Sequence, residues 1–130
     1  MKDCLTCLLQ NSDFSTIKSL LIKFDLLNSV ASLQNGTVFL PNNEAFLKIQ
    51  DIIKTLTPDQ IKNILLYHVS TNQVTQPGNN VLCALNNQPL LATTKNVNNV
   101  CIRYRCTNPN NTNINVIGTV LIPFNAGACS

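Results

Sequence analysis

Thr57-Pro58-Asp59-Gln60-Ile61-Lys62-Asn63-Ile64-Leu65-Leu66, followed directly by Tyr67-His68, is the stretch that decides how the middle of this chain folds. Its threonine can cap a helix, the proline suits the first helical position, and the glutamine can reach back to complete a capping box. The apolar residues Ile61, Ile64 and Leu65 share one face of that helix. The pattern therefore predicts an amphipathic helix that leads straight into a strand.

Helical and strand patterns occupy different parts of the chain. Before this stretch, apolar residues recur at helical spacing, and a further helix is predicted from a cap at Asn42 or Asn43 to Ile53. After it, β-rich runs at 81–85, 90–94, 100–105 and 114–122 alternate with Asn- and Pro-rich turns and loops, including a loop at 95–99. Helices first and strands later predict an α+β fold rather than a doubly wound sheet.

Composition indicates one domain over residues 1–130, because 45% of the residues are hydrophobic and can supply a core. The net charge of +3 is mild. The nearest approach to a nucleic-acid-binding stripe is Arg103-Tyr104-Arg105, whose arginines are predicted to share one side of a strand. We interpret it as an outward-facing basic pair and expect no nucleic-acid partner. No apolar run approaches the ~20 residues of a membrane span.

The chemistry-bearing residues do not suggest an enzyme. His68 is the single histidine, so it cannot build a metal site alone, and no partner for a catalytic pair is indicated. The six carboxylates show no paired spacing, and glycine-rich phosphate loops are absent. We expect His68 to be a structural residue, hydrogen-bonded beneath a loop, and Asn42, Asn43 and Glu44 to serve helix capping. No catalytic residue, metal or cofactor is predicted.

Six cysteines are spread along the chain, at Cys4, Cys7, Cys83, Cys101, Cys106 and Cys129. An even number in a small domain predicts an oxidising compartment and up to three disulfides, with 15 possible connectivities. Cys101 and Cys106 lie five strand steps apart, about 16 Å, and on opposite sides, so they are not expected to pair unless the segment turns. Cys83 could lie across a hairpin from one of them.

Two sequons at Asn35 and Asn110 agree with secretion as candidate N-glycosylation sites. Metal binding and redox catalysis remain alternative interpretations of the cysteines. The first residues lack the apolar core of a signal peptide, so secretion implies that a leader has been removed.

Three segments together resemble the fasciclin-like (FAS1) domain family, whose members carry T-V-F-x-P-x-N-E-A-F, L-L-x-Y-H-V and V-I-x-V-I-x-x-V-L-L-P. Here they are Thr37 to Phe46, Leu65 to Val69, and Asn115 to Pro123, in the same order and spacing across essentially the whole chain. The last segment departs from the pattern, because Asn115 stands where His is usual and Gly118 where Asp is usual.

This resemblance implies a FAS1-type β-sandwich or wedge of about seven strands, with several helices packed on one edge. It implies a secreted, non-enzymatic domain for cell adhesion or contact with the extracellular matrix, with a cell-surface or matrix protein or glycan as its partner. It also implies a receptor-contact role for Tyr67 and His68, and a disulfide from Cys129 to Cys4 or Cys7. The alternative function, again from relatives of this fold, is a carrier of a carotenoid or another lipophilic molecule.

Overall fold

The computed structural model describes residues 4–71, 80–86, 88–93, 95–98, 100–108 and 111–121, without the side chains of Cys4 and Asn80. Its helices are α1 (Cys4–Leu9), α2 (Ser15–Lys23), α3 (Leu27–Ala31), α4 (Asn43–Lys48), α5 (Gln50–Ile53) and α6 (Pro58–Tyr67), with a 3-10 turn at Ser12–Phe14. Its strands are β1 (Thr37–Pro41), β2 (Val69–Ser70), β3 (Asn80–Cys83), β4 (Pro89–Ala92), β5 (Asn96–Val97), β6 (Val100–Thr107) and β7 (Asn113–Ile117).

The strands within the described ranges form one mixed sheet in the order β2-β1-β7-β6-β5-β4-β3. β1 and β7 run parallel, and the other neighbours are antiparallel. A bridge between Ser70 and Ala84 joins the two edges, so the sheet is nearly closed into a barrel. The predicted α+β fold of about seven strands is confirmed, and its strands make one curled sheet.

Two apolar clusters fill the two faces of this sheet. Alternate residues of β1 and β7 divide between them, because successive strand side chains point to opposite faces. Val38 and Ile114 pack with the helices, whereas Phe39 and Ile117 pack with the inner residues of β3, β4 and β5. β1 and β7 are thus buried on both faces and form the centre of the fold.

The helices cover only part of the sheet. Their strongest contacts with strands are those of α4 with β1 and of α6 with β2. β6 lies in the middle of the sheet between β7 and β5, yet its residues 103–105 are exposed. A central strand is therefore open to solvent over these three residues.

The helix caps follow from local sequence. Thr57 and Gln60 form the predicted capping box, with Thr57 Oγ1 accepting from the Gln60 N–H and Gln60 Oε1 accepting from the Thr57 N–H. Asn42 caps α4, its Oδ1 accepting from the Ala45 N–H at 3.0 Å. Asn43, the other predicted candidate, has a different role that is described below.

Three element boundaries differ from the prediction. The helix predicted to reach Ile53 breaks at Ile49, whose φ of −123° and ψ of 17° leave the helical region. The predicted loop at 95–99 contains β5, which pairs with both β4 and β6. The last strand, predicted to reach residue 122, ends at Ile117, and the carbonyl of the next residue, Gly118, accepts a hydrogen bond from Lys48 Nζ at 2.8 Å.

Candidate functional site

Tyr67 is the last residue of α6 and is held inside the curled sheet. Its side chain is only 1% exposed. The hydroxyl donates to the carbonyl of Pro89 at 2.8 Å and accepts from Asn98 Nδ2 at 3.0 Å. One phenol therefore ties the end of α6 to the start of β4 and to the turn after β5.

His68 follows as the C-terminal cap of α6 and is 2% exposed. Its Nδ1 lies 2.7 Å from the carbonyl of Ile64, and its Nε2 lies 2.9 Å from the backbone nitrogen of Leu121. A carbonyl only accepts, so Nδ1 carries the proton, and Nε2 accepts from the Leu121 N–H. The neutral ring thus joins α6 to the chain beyond β7.

Burial lowers the pKa of His68 from 6.5 to about 4, because the charged ring would lose its hydration. The hydrogen bond to Ile64 opposes this effect but does not outweigh it. The ring is therefore neutral at pH 7. It has the geometry of the expected structural histidine and contacts the backbone on both sides.

The receptor-contact role of Tyr67 and His68 stays a prediction. The structure places both rings beneath other parts of the fold, so a partner can reach them only if the covering residues move. Ser70, two residues after His68, also bonds across the sheet. Its Oγ donates to the carbonyl of Cys83 at 2.8 Å, which helps close the sheet. Tyr67 and His68 thus lie where α6, the sheet and the segment after β7 meet.

Asn43 joins three elements near the start of α4. Its Oδ1 accepts from the Thr16 N–H at 3.0 Å, and its Nδ2 donates to the carbonyl of Ser12 at 2.8 Å. Glu44 next to it pairs with Arg103, with Nη1 and Oε2 3.5 Å apart. A polar cavity of about 250 Å³ lies here, lined by Asp13, Asn42, Asn43, Glu44 and Arg103. The sequence predicts helix capping for Asn43, whereas the structure shows its side chain bridging α4 to Ser12 and to Thr16 of α2.

The two departures from the family pattern have clear structural roles. Asn115 is 1% exposed; its Nδ2 donates to the carbonyl of Val38 at 3.3 Å, and its Oδ1 accepts from Arg105 Nε at 2.8 Å. Gly118 lies against the Arg103 side chain, and a Cβ there would come within 2.5 Å of the guanidinium. A larger residue at this position would displace Arg103.

The cysteines only partly follow the predicted disulfide framework. Cys7, Cys83 and Cys101 are thiols, whereas Cys106 is disulfide-bonded. The prediction that Cys83 lies across a hairpin from Cys101 or Cys106 is wrong, because Cys83 pairs with Pro89 in β4.

The remaining predicted cysteines and sequons are described only in part. The side chain of Cys4, and Cys129 and Asn110, lie outside the described residues. Asn35 is exposed, and its Oδ1 accepts from Asn111 Nδ2 at 3.0 Å, so the two sequons meet on one surface.

An apolar groove lies between α2 and the broken helix α4–α5. It has a volume of about 470 Å³ and is lined by Thr16, Asn43, Phe46, Leu47, Gln50, Ile53 and Lys54. The break at Ile49 separates the two short helices that form one wall. Among the described residues, no three His, Cys, Asp or Glu side chains lie close enough together to hold a metal ion. Nor does any helix there have the length and apolar character needed to cross a bilayer.

A model of the fasciclin domain matches residues 12–123 of this chain. The chain belongs to the fasciclin domain family. Within this fasciclin domain, 56 residues are 36% identical to the fasciclin-like arabinogalactan protein CTB11 of Cercospora beticola. That match covers 43% of the chain and 15% of the relative.

The fold of this fasciclin domain is similar to a solved FAS1 domain pair from the insect cell adhesion molecule fasciclin I. The TM-score is 0.66 at 15% identity, over 86% of this chain and 46% of that one. The chain therefore spans less than half the length of either relative.

Proposed function

We propose that this fasciclin domain is a secreted, non-enzymatic module for cell adhesion or contact with the extracellular matrix. The observation that carries the proposal is its membership of a family known for adhesion-related proteins. The solved relative comes from an insect cell adhesion molecule, and the curated relative is a fasciclin-like arabinogalactan protein. The exposed sequon at Asn35 and the disulfide at Cys106 support an extracellular location.

The hydrogen bonding of the buried polar side chains supports recognition through exposed residues. Tyr67, His68 and Asn115 are buried and hydrogen-bonded to the protein's own backbone or side chains. These hydrogen bonds stabilise the fold, and a partner would therefore contact exposed residues instead. Fasciclin domains are typically non-enzymatic, and the arrangement supports the same for this one.

The outer face of the β3–β4 pair offers a contact surface, which we call the open sheet surface and define by Val81 and Leu91. Their side chains are 67% and 56% exposed. Val81 and Leu91 are direct cross-strand partners in β3 and β4, so their side chains stand on the same face. Exposed apolar side chains grouped in this way mark interaction sites more often than scattered ones do.

Replacing Val81 and Leu91 together with serine is expected to reduce adhesion. Single contacts of this size are weak, so the domain should be displayed in many copies on beads, where multivalency makes binding measurable. We expect about a tenfold loss of bead binding to cells or matrix-coated plates, as for the loss of a central apolar contact. The control is Ile22→Ser with Ile52→Ser, which removes two exposed apolar residues of the helices instead. Equal losses in both double variants would contradict a role for the open sheet surface, and no adhesion by the parent domain would contradict the proposed function.

A carrier of carotenoids or other lipophilic molecules is the second candidate function, and the apolar groove favours it. The groove's volume lies within the range of small-molecule sites. Leu47 at its edge is 63% exposed, which leaves an apolar surface for a ligand to cover.

Mixing the purified domain with a carotenoid tests the carrier function directly. A carrier should give a coloured complex at a stoichiometric ratio, seen in the visible absorption spectrum after gel filtration. Leu47→Asp should weaken that complex about tenfold or more, because it places a charge against the bound hydrocarbon. Ile22→Asp, which lies outside the groove lining, is the control. A colourless protein would contradict a role as a carotenoid carrier.

A further inference from the structure

The apolar groove between α2 and α4–α5 follows one stripe of helical residues. Its lining residues in and next to α4 and α5 recur at intervals of three and four, the spacing that places side chains on one helical face. In chain order they are Asn43, Phe46, Leu47, Gln50, Ile53 and Lys54. The stripe continues across the break at Ile49. At the rise of a helix, its span from residue 43 to residue 54 is about 16 Å.

The middle of this stripe is apolar. Phe46 is buried, Ile53 is half-buried and Leu47 is exposed, so the apolar lining extends from the protein interior to solvent. A hydrocarbon lying along these three side chains would remove their surface from water, which is favourable roughly in proportion to the apolar area covered.

The two ends of the groove differ in charge. At one end, the amide of Asn43 is already bonded within the protein, because Oδ1 accepts from the Thr16 N–H and Nδ2 donates to the carbonyl of Ser12. At the other end lies Lys54, which is exposed and is the one charged residue among the described residues that line the groove. The groove is therefore neutral along most of its length and positive at one end.

The ammonium group of Lys54 is available to a ligand. Within the described ranges, no hydrogen bond or ion pair joins it to another residue. It is not needed to cap the end of α5 either, because the carbonyls of Gln50 and Ile52 accept from the N–H groups of Lys54 and Thr55. Lys54 thus places a positive charge beside an apolar surface without a described partner for that charge.

We propose that the groove binds a free medium-chain fatty acid, with its hydrocarbon along Phe46, Leu47 and Ile53 and its carboxylate at Lys54. Charge complementarity sets the orientation, because a carboxylate is ionised at pH 7 and the charged end of the groove is positive. Carbon–carbon bonds are about 1.5 Å long, so an extended chain of about ten carbons is shorter than about 14 Å and fits the stripe. A carotenoid is much longer and would extend beyond the groove. The proposal rests on the carrier function above, because it names the class of ligand that the carrier takes.

Titration of the isotope-labelled domain with decanoate at pH 7, below its micelle concentration, tests the proposal by two-dimensional NMR. We expect saturable shifts of the backbone amide signals of Leu47, Gln50 and Lys54. Decanol, which has the same chain length and no charge, should bind about fivefold more weakly, because an exposed ion pair adds only modest affinity. Decyltrimethylammonium should bind more weakly still, because its charge is the same as that of Lys54.

Variants separate the contribution of the charge from that of the hydrocarbon. Lys54→Gln should lower the affinity for decanoate about fivefold, to that for decanol, and should leave decanol binding unchanged. Lys62→Gln removes an exposed positive charge from α6, outside the groove lining, and should change decanoate affinity less than twofold. Leu47→Asp should weaken binding of both ligands about tenfold or more. Thermal melting of each variant shows that it is folded.

The outcomes distinguish this inference from the carrier function. Equal affinities of the parent domain for decanoate and decanol would overturn the inference, as would equal losses with Lys54→Gln and Lys62→Gln. Shifts produced by vesicles of anionic phospholipid but not by decanoate would also overturn it, because the groove would then dock on a membrane surface. A coloured carotenoid complex without decanoate binding would overturn the inference and leave the carrier function standing. Failure of both ligands to bind would contradict the carrier function as well.

Discussion

Tyr67→Ala is expected to lower the free energy of unfolding by about 3–5 kcal/mol, the range for removing a large buried aromatic side chain. Tyr67 is 1% exposed and packs in the inner apolar cluster. Its loss would leave a cavity and would also strip the Pro89 carbonyl and the Asn98 amide of their shared hydroxyl. Urea unfolding followed by circular dichroism measures the change.

Tyr67→Phe separates a structural role from a receptor contact. It keeps the ring and removes the hydroxyl, so we expect a loss of about 1–3 kcal/mol and adhesion equal to that of the parent when both are folded. A phenylalanine variant that melts like the parent but no longer adheres would instead favour direct contact through the hydroxyl. Val97→Ala is a useful comparison, because Val97 is fully buried in the same cluster and makes no side-chain hydrogen bond.

Acidification is expected to destabilise the domain through His68. The unfolded chain takes up a proton on this ring near pH 6.5, whereas burial holds the folded pKa at about 4. The contribution of the neutral ring is therefore complete above pH 6.5 and is lost as pH falls from 6.5 towards 4. That gap in pKa corresponds to about 3 kcal/mol of unfolding free energy.

Unfolding free energies measured at pH 7, 6, 5 and 4.5 check this expectation, with His68→Gln as the control. Glutamine can still donate and accept hydrogen bonds but does not titrate, so its stability should be lower than the parent's at pH 7 and nearly flat across this range. The parent and the variant should converge in acid. Parallel curves for the two proteins would show that His68 does not cause the pH dependence.

Local signals in the sequence predicted the parts of the fold that depend on neighbouring residues. The capping box of α6 needs only Thr57, Pro58 and Gln60, so its pattern is complete within four positions. The break at Ile49 has no comparable signal, because the apolar spacing continues through it. β5 was missed for a related reason, since a two-residue strand in an Asn-rich segment is formed by its neighbours on both sides.

Local sequence patterns also fail to predict the contacts that Tyr67 and His68 make with distant residues. The sequence predicts a structural, hydrogen-bonded histidine at position 68, but it does not indicate the partner of Nε2, the N–H of Leu121, which is 53 residues away along the chain. Asn98 belongs to the predicted loop at 95–99, yet its amide donates to the Tyr67 hydroxyl. Such contacts depend on the closure of the sheet, and closure cannot be predicted from any short stretch of sequence.

The pairing of β1 with β7 determines when the centre of the domain can fold during synthesis. On the ribosome, the first strand emerges long before its parallel neighbour, and until then Val38 and Leu40 have helices on one side and nothing from β7 beside them. Contacts between segments so far apart in sequence form slowly and leave apolar surface open to aggregation in the meantime. Synthesis through β7 must therefore precede the formation of the centre of this domain, and a chain shortened before residue 113 would lack the strand that completes it.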